Sequence, residues 1–290
     1  MRFLRALLMV VALVSPALVF LALVSPALVS PARAELVDLE LVLAIDISGS
    51  VDAQEAELQR AGYVAALTDP TVLRAIKSGR HGRIALTYME WAGDHVRNTL
   101  VDWTVIDGAA AAKAFARRLA GIPLSIEMWT SISGAIDYGL DLFHSSPHKG
   151  KRRVLDISGD GPNNDGGAVN VARDRAVKAG IVINGLPIIN DRPSRFGGLP
   201  MPHLDNYYRD CVIGGFGSFI VVADTFKDFA RAIRRKMILE IAGGMARPMP
   251  KSGPGPDREA RLIAAQSPAA TDLHPPCNIG EVLRDSRDSF

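Results

Sequence analysis

The stretch Ile45-Asp46-Ile47-Ser48-Gly49-Ser50-Val51-Asp52 decides the fold. Ahead of it, Leu39 to Ile45 is almost unbroken aliphatic sequence, the pattern of a strand buried on both faces of a parallel sheet. Behind it, Asp52 has the side chain of a helix N-cap, and Glu55, three residues on, completes a capping box. One carboxylate and two hydroxyls at alternate positions thus fall where a central strand gives way to a helix. In open α/β sheets that end of the strands is where ligands bind. Hard oxygens gathered there suit a hard divalent cation such as Mg²⁺.

Working outward, the chain alternates helices and strands. A helix is expected from about Ala53 to Leu67, broken by Asp69-Pro70, with a short turn over Thr71 to Lys77. Arg83 to Trp91 reads as a strand, and His95 to Trp103, beyond the turn Ala92-Gly93-Asp94, as its antiparallel partner. Helices follow over Ala109–Leu119 and Ile132–Phe143, then a buried strand over Val154–Ile157. The loop Ser158-Gly159-Asp160-Gly161-Pro162-Asn163-Asn164-Asp165 is built of turn residues. A helix over Ala168–Ala179 and a strand over Ile181–Ile189 come next, with a polar loop from Asn190 to Pro202. Asp205–Cys211 reads as helical, Phe219–Ala223 as a short strand and Phe226–Ile241 as a basic amphipathic helix. This order predicts an α/β fold, a doubly wound and mostly parallel sheet with one antiparallel edge strand and helices on both faces.

Three segments are expected: a signal peptide over 1–34, the α/β domain over 35–242 and a C-terminal tail over 243–290. The first pairs Arg2 and Arg5 with a long apolar run and ends in Ala32-Arg33-Ala34 before Glu35. A ten-residue direct repeat lengthens that run toward a membrane span, but Pro16 and Pro26 within it favour a cleaved signal over a retained anchor. The chain left after cleavage is expected to be exported, periplasmic or secreted, with no membrane span. Of 33 basic residues, three lie in this segment and none of the 31 acidic ones does, which leaves 30 against 31. No polybasic face argues for nucleic acid or anionic lipid. The tail holds seven of the 18 prolines and cannot bury enough surface to order as a separate domain. Cys211 and Cys277 are the two cysteines; after export they are free to form a disulfide, and two free thiols are the alternative.

Two further loops should emerge near the end of the sheet that carries Asp46, Ser48 and Ser50. Thr130 lies just before the helix Ile132–Phe143, and Asp160 just past the strand Val154–Ile157. The five side chains offer two carboxylates and three hydroxyls, oxygen donors only, and some of them acting through water leaves one octahedral position open. Asp156 competes with Asp160, because the tetrapeptide Asp-Ile-Ser-Gly occurs at both 46–49 and 156–159. Asp160 is preferred for its place in the loop, and a carboxylate inside a strand then needs donors or a cation of its own. Elsewhere, His144 and His148 have zinc-pair spacing, but Pro147 separates them. Gly214-Gly215-Phe216-Gly217 precedes a strand rather than a helix and reads as a turn. No H-E-x-x-H, G-x-S-x-G or G-x-x-x-x-G-K-[ST] motif is present.

With D-x-S-x-S after the first strand, a loop Thr and an Asp after a later strand, the chain resembles a von Willebrand factor A-type (VWA) domain over about Leu39 to Ile241. It is most similar to an exported bacterial VWA-like group of unassigned function, through its DISGS, SGDGPNN and YYRDCVIGG stretches. The usual Ser/Thr-Asp-Gly is here Ser158-Gly159-Asp160-Gly161. The resemblance implies a metal-ion-dependent adhesion site in which Ser48, Ser50 and Thr130 ligate the metal directly. Asp46 and Asp160 then act largely through bound water and hydroxyl hydrogen bonds. The metal is Mg²⁺, with Mn²⁺ or Ca²⁺ as alternatives, and a protein partner supplies an acidic residue to it. The resulting expectation is a non-enzymatic binding module. The runner-up is a metal-dependent hydrolase of phosphate or related esters using the same carboxylates. Trp129 is a candidate for the rim of the site, Trp91 and Trp103 for packing on the edge hairpin, and Arg192, Arg195 and Phe196 for shaping partner choice.

Overall fold

The computed structural model describes residues 34–189, 200–225, 228–243, 262–264 and 274–287. The expected signal segment, up to Arg33, and the loop residues Arg192, Arg195 and Phe196 lie outside them. In chain order the elements are strands β1 (Glu35–Val37) and β2 (Glu40–Asp46), helices α1 (Ala53–Thr68) and α2 (Pro70–Lys77), and the hairpin β3 (Ile84–Trp91) and β4 (Arg97–Ile106). Then come α3 (Ala109–Ala120), α4 (Ile132–His144), β5 (His148–Gly150), β6 (Arg153–Gly159), α5 (Val169–Lys178) and β7 (Val182–Pro187). A short helix α6 (Leu204–Tyr207) runs directly into a π-helical turn, Tyr208–Val212. The chain closes with β8 (Phe219–Val221), α7 (Phe229–Ala242), β9 (Leu262–Ala264) and α8 (Ile279–Arg287).

The main sheet has the order β4-β3-β2-β6-β7-β8-β9. From β3 to β8 neighbouring strands run parallel, and β4 is antiparallel at one edge, as the hairpin reading expects. A second antiparallel strand, β9, comes from the proline-rich C-terminal segment and closes the other edge. β1 and β5 form a separate two-stranded parallel sheet. His148 therefore sits in a strand, paired with Glu35, and not on a helix with His144.

Every residue of β2 is buried, because helices cover both faces. Leu41, Leu43 and Ile45 pack under Tyr63 of α1, Phe115 of α3 and Phe229 of α7. Val42 and Ala44 meet Ile132 and Ile136 of α4, Ala172 of α5 and the pair Tyr207–Tyr208. Two aliphatic layers back to back explain why the strand shows no polar alternation. The chain leaves β2 toward β3 on one side and returns to β6 on the other, so strand order reverses between β2 and β6. At such a switch point the two outgoing loops part and leave a crevice at the carboxyl ends of the strands. Among the described residues no helix is long and apolar enough to cross a membrane.

Candidate metal site

Asp46 is the last residue of β2, and its buried Oδ1 accepts from the amide of Ser48 at 2.7 Å. That bond tightens the turn and throws the Ser48 and Ser50 side chains to the same side, their hydroxyls 3.1 Å apart. The turn is held open for α1 by the expected capping box: the Asp52 carboxylate accepts from the Glu55 amide at 2.8 Å, and Glu55 returns to the Asp52 amide at 2.9 Å. From the other side of the crevice comes Asp160, one residue past β6. The Ser50 hydroxyl donates to its Oδ1 at 2.5 Å, across 110 residues of sequence. Four of the five expected residues, Asp46, Ser48, Ser50 and Asp160, are thus joined by direct contacts.

Thr130 reaches the cluster through backbone. The loop before α4 runs beside the β2–α1 turn, with the Glu127 amide bonded to Ile47 O at 2.9 Å and Ser48 bridged to Glu127. The Thr130 amide donates to Asn164 Oδ1 at 2.8 Å, and its carbonyl accepts from the Asn164 amide at 2.8 Å. The Asp160 loop and the Thr130 loop are therefore stitched together by Asn164, and by Asn163, whose Oδ1 accepts from the Ser133 amide at 2.9 Å. Both asparagines read as turn residues in the sequence; nothing local signals that their amides cap another loop. Trp129 is 44 % exposed and adopts a left-handed backbone, φ 66°. That conformation is costly for a bulky side chain and concentrates at functional sites. Trp91 is fully buried beneath α4, whereas Trp103 is half-buried, its indole N–H bonded to Leu142 O.

The electrostatics of the crevice favour a cation. Burial, followed by the nearby Asp160, pushes the Asp46 carboxyl up to about 8. Burial also raises Asp160 to about 6, and the Glu55 charge adds to that while the Ser50 hydroxyl opposes it. Asp46 Oδ2 is buried and has no hydrogen-bond partner. Gly159 leaves room for it: a Cβ there would lie 2.8 Å from Asp46 Oδ2 and 2.7 Å from the Tyr208 hydroxyl, itself buried and without a partner. Unsatisfied buried oxygens cost several kcal/mol unless something pairs with them, ~1–3 kcal/mol for a neutral group and more for a charged one. Among the described residues no group of three or more His, Cys, Asp or Glu is placed to hold a metal, so any ion here must draw on hydroxyls. Two carboxylates and two serine hydroxyls in direct contact, with Thr130 on the adjoining loop, are the oxygen donors a hard cation takes.

Asp156 belongs elsewhere. It projects from β6 toward α7, where Lys236 Nζ pairs with its Oδ1 and lies 2.7 Å from Glu240 Oε1. Asn184 Nδ2 adds 3.0 Å to the same Glu240 oxygen. The cation that a strand-buried carboxylate needs is thus supplied from within the chain, 80 residues on, by a lysine that the sequence showed only as one of several basic residues on an amphipathic helix.

A mostly parallel sheet with helices on both faces and a crevice at its switch point give the chain a VWA-like α/β fold. The chain belongs to the family described as DUF1194, proteins of unknown function, whose sequence signature matches residues 36–245. No curated protein matches it in sequence. Among solved structures it is similar to the von Willebrand factor domain of the type V pilus tip protein Mfa5 from Porphyromonas gingivalis, at 10 % identity over 75 % of this chain and 99 % of that one, TM-score 0.50. The pilus adhesin SpaC from Lactobacillus rhamnosus GG gives 12 % identity and a TM-score of 0.52 over 71 % of this chain, which spans 30 % of SpaC. Proximal thread matrix protein 1 from the mussel byssus gives 10 % identity and 0.51 over 72 % of this chain, which spans about half of it, 49 %. At these identities the likeness is one of fold.

Proposed function

We propose that this chain is an exported VWA-type binding module that recognises a protein partner through a divalent cation held by Asp46, Ser48, Ser50, Thr130 and Asp160. Ser48, Ser50 and Thr130 are the direct ligands, and Asp46 and Asp160 act through water and hydroxyl hydrogen bonds. Mg²⁺ is the expected ion, with Mn²⁺ and Ca²⁺ compatible with the donor chemistry. Bound there, the ion offers a positive centre to an acidic residue of the partner. What supports the reading above all is Asp46 Oδ2, buried and unpartnered, opposite a carboxylate tied to Ser50. Two raised carboxylates facing one crevice make a cost that a cation removes. The donor set holds no His to activate its serine hydroxyls as a general base, which favours binding over turnover.

The test is a melting scan of the purified protein in Mg²⁺ against chelator, repeated for Asp46→Ala, Asp160→Ala and Asp156→Ala. At a hundred times Kd a bound ion stabilises by about 2.7 kcal/mol, roughly 5–10 °C in a domain of this size. The expected result is a metal-dependent midpoint in the native protein and in Asp156→Ala, lost in the other two. No response in the native protein refutes the site. Turnover of generic phosphate esters that Asp46→Ala abolishes would replace binding with hydrolysis.

A further inference from the structure

The C-terminal segment does not simply trail from the domain. Cys277 is joined to Cys211 by a disulfide across 66 residues, which anchors the start of α8 against the π-helical turn. From that anchor, α8 lies on the loop that carries Asp160. Glu281 Oε1 accepts from Asn163 Nδ2 at 2.7 Å. Arg284 donates to Asn164 O at 2.6 Å and stands 3.5 Å from Asp165. The Tyr207 hydroxyl ties both sides, accepting from the Asn163 amide at 3.1 Å and donating to Cys277 O at 3.3 Å. Gly280 shows how close the approach is: a Cβ there would sit 1.9 Å from Asn163 O. Only glycine lets α8 press on this backbone.

Every contact of α8 named here falls on Asn163, Asn164 or Asp165. Asn163 and Asn164 are the two residues that fix the Asp160 loop against Thr130 and the start of α4. We propose that the disulfide-anchored segment 274–287 is a clamp that sets the spacing between Asp160 and Thr130, and so tunes the affinity of the cation site. The clamp grips fully only with the Cys211–Cys277 bond intact. A dithiol opens it by ordinary exchange: a thiolate attacks the sulfur of Cys277, the less buried of the two residues, Cys211 leaves as thiolate, and the second thiol closes on the mixed disulfide. Two electrons pass to the protein as two thiols, and the dithiol leaves as its cyclic disulfide. An exported chain therefore completes its site only in an oxidising compartment.

The cation half of this inference rests on the proposed function; the mechanical half does not. The decisive variants are Gly280→Ala and Glu281→Gln/Arg284→Gln, with dithiothreitol-treated native protein as a third arm. Gly280→Ala is informative because alanine is the better helix former, so a helix free of the loop gains from it. Two readouts are taken: amide hydrogen exchange over 128–134 and 160–167, and Mg²⁺ affinity by calorimetry. Expected are exchange at least tenfold faster in both loops and Mg²⁺ bound at least fivefold more weakly, with the midpoint in chelator still well above room temperature. Unchanged exchange in Gly280→Ala and in the double variant overturns the clamp, whatever the metal does. Faster exchange in a protein whose native form binds no Mg²⁺ keeps the clamp and refutes the metal site. Faster exchange with Mg²⁺ affinity unaltered overturns the link between them.

Discussion

Replacing Lys236 by methionine removes one charge from the interior and almost no volume. Lys236 is fully buried, and its ammonium stands between Asp156 and Glu240, each about 1 % exposed. Without it, two carboxylates remain in the α7 layer with Asn184 as the neutral donor to one of them. Breaking a buried ion pair by deleting one partner costs about 3–5 kcal/mol, because the surviving charge is stranded. In a domain of this size that corresponds to a midpoint lowered by roughly 6–20 °C. The pH dependence is the sharper test. Burial, and then Glu240, already raise the Asp156 carboxyl to about 7 against an ordinary 3.8, with Lys236 opposing them. Its folded pKa lies above the unfolded one, so protonation favours the fold, and the contribution is lost as pH rises through about 7. Lys236→Met removes the opposing charge and deepens this dependence. Circular-dichroism melts of both proteins from pH 5 to 8.5 should show a deficit largest at the alkaline end and narrowing toward pH 5. A deficit absent at pH 8, or equal at both ends, refutes the reasoning. Substituting leucine for both acids together with the methionine should recover the loss, since a whole buried ion network exchanged for apolar groups is often neutral or better.

The carboxylates of the crevice give a second pH signature. Asp46 and Asp160 are raised to about 8 and about 6, so in chelator they favour the fold as pH falls from about 8 toward 4. Mg²⁺ must displace those protons, so the midpoint gained from Mg²⁺ should shrink over the same interval; a gain that grows on acidification contradicts the ligand set. Gly159→Ala places a Cβ at 2.7 Å from the Tyr208 hydroxyl and 2.8 Å from Asp46 Oδ2, and should cost about 1–3 kcal/mol by overpacking while abolishing the Mg²⁺ response. Trp129→Gly relieves a left-handed tryptophan and should leave the midpoint in chelator unchanged or higher, by up to ~1 kcal/mol; a loss beyond that assigns Trp129 a packing role that its 44 % exposure argues against.

What the sequence disclosed and what it hid follow from the range of the interactions. The β2–α1 turn was legible because its determinants are neighbours: seven buried residues, Ser48 bonded to Asp46 two positions away, Glu55 to Asp52 three positions away. The strands and helices from Arg83 to Ile189 were readable for the same reason, each carrying its own periodicity and breakers, except the three-residue β5, whose partner β1 is far off in sequence. Asp160 could be ranked above Asp156 from loop position alone, but the reason Asp156 is tolerated, Lys236, could not be seen. The roles of Asn163 and Asn164 were hidden too, since the amides they cap lie 30 and 34 residues away and the α8 residues that hold them, Glu281 and Arg284, lie 118 and 120 residues away. Composition misleads most in the C-terminal segment. Its prolines rule out a self-sufficient core, yet short pieces of it dock onto a body already folded and need bury little of their own.

The strand Leu262–Ala264 carries one such consequence. It pairs along all three residues of β8, which otherwise ends the sheet with its backbone donors and acceptors facing outward. The opposite margin, β4, is guarded differently, by the charged side chains of Arg97 and Asp102 and by irregular register against β3. A shortened version of the protein stopping at Gly243 would keep the crevice residues, lose the clamp of α8 and bare an apolar Phe-Ile-Val border, an invitation to stacking between molecules. Self-association of such a fragment would then report a lost cover and not a natural assembly.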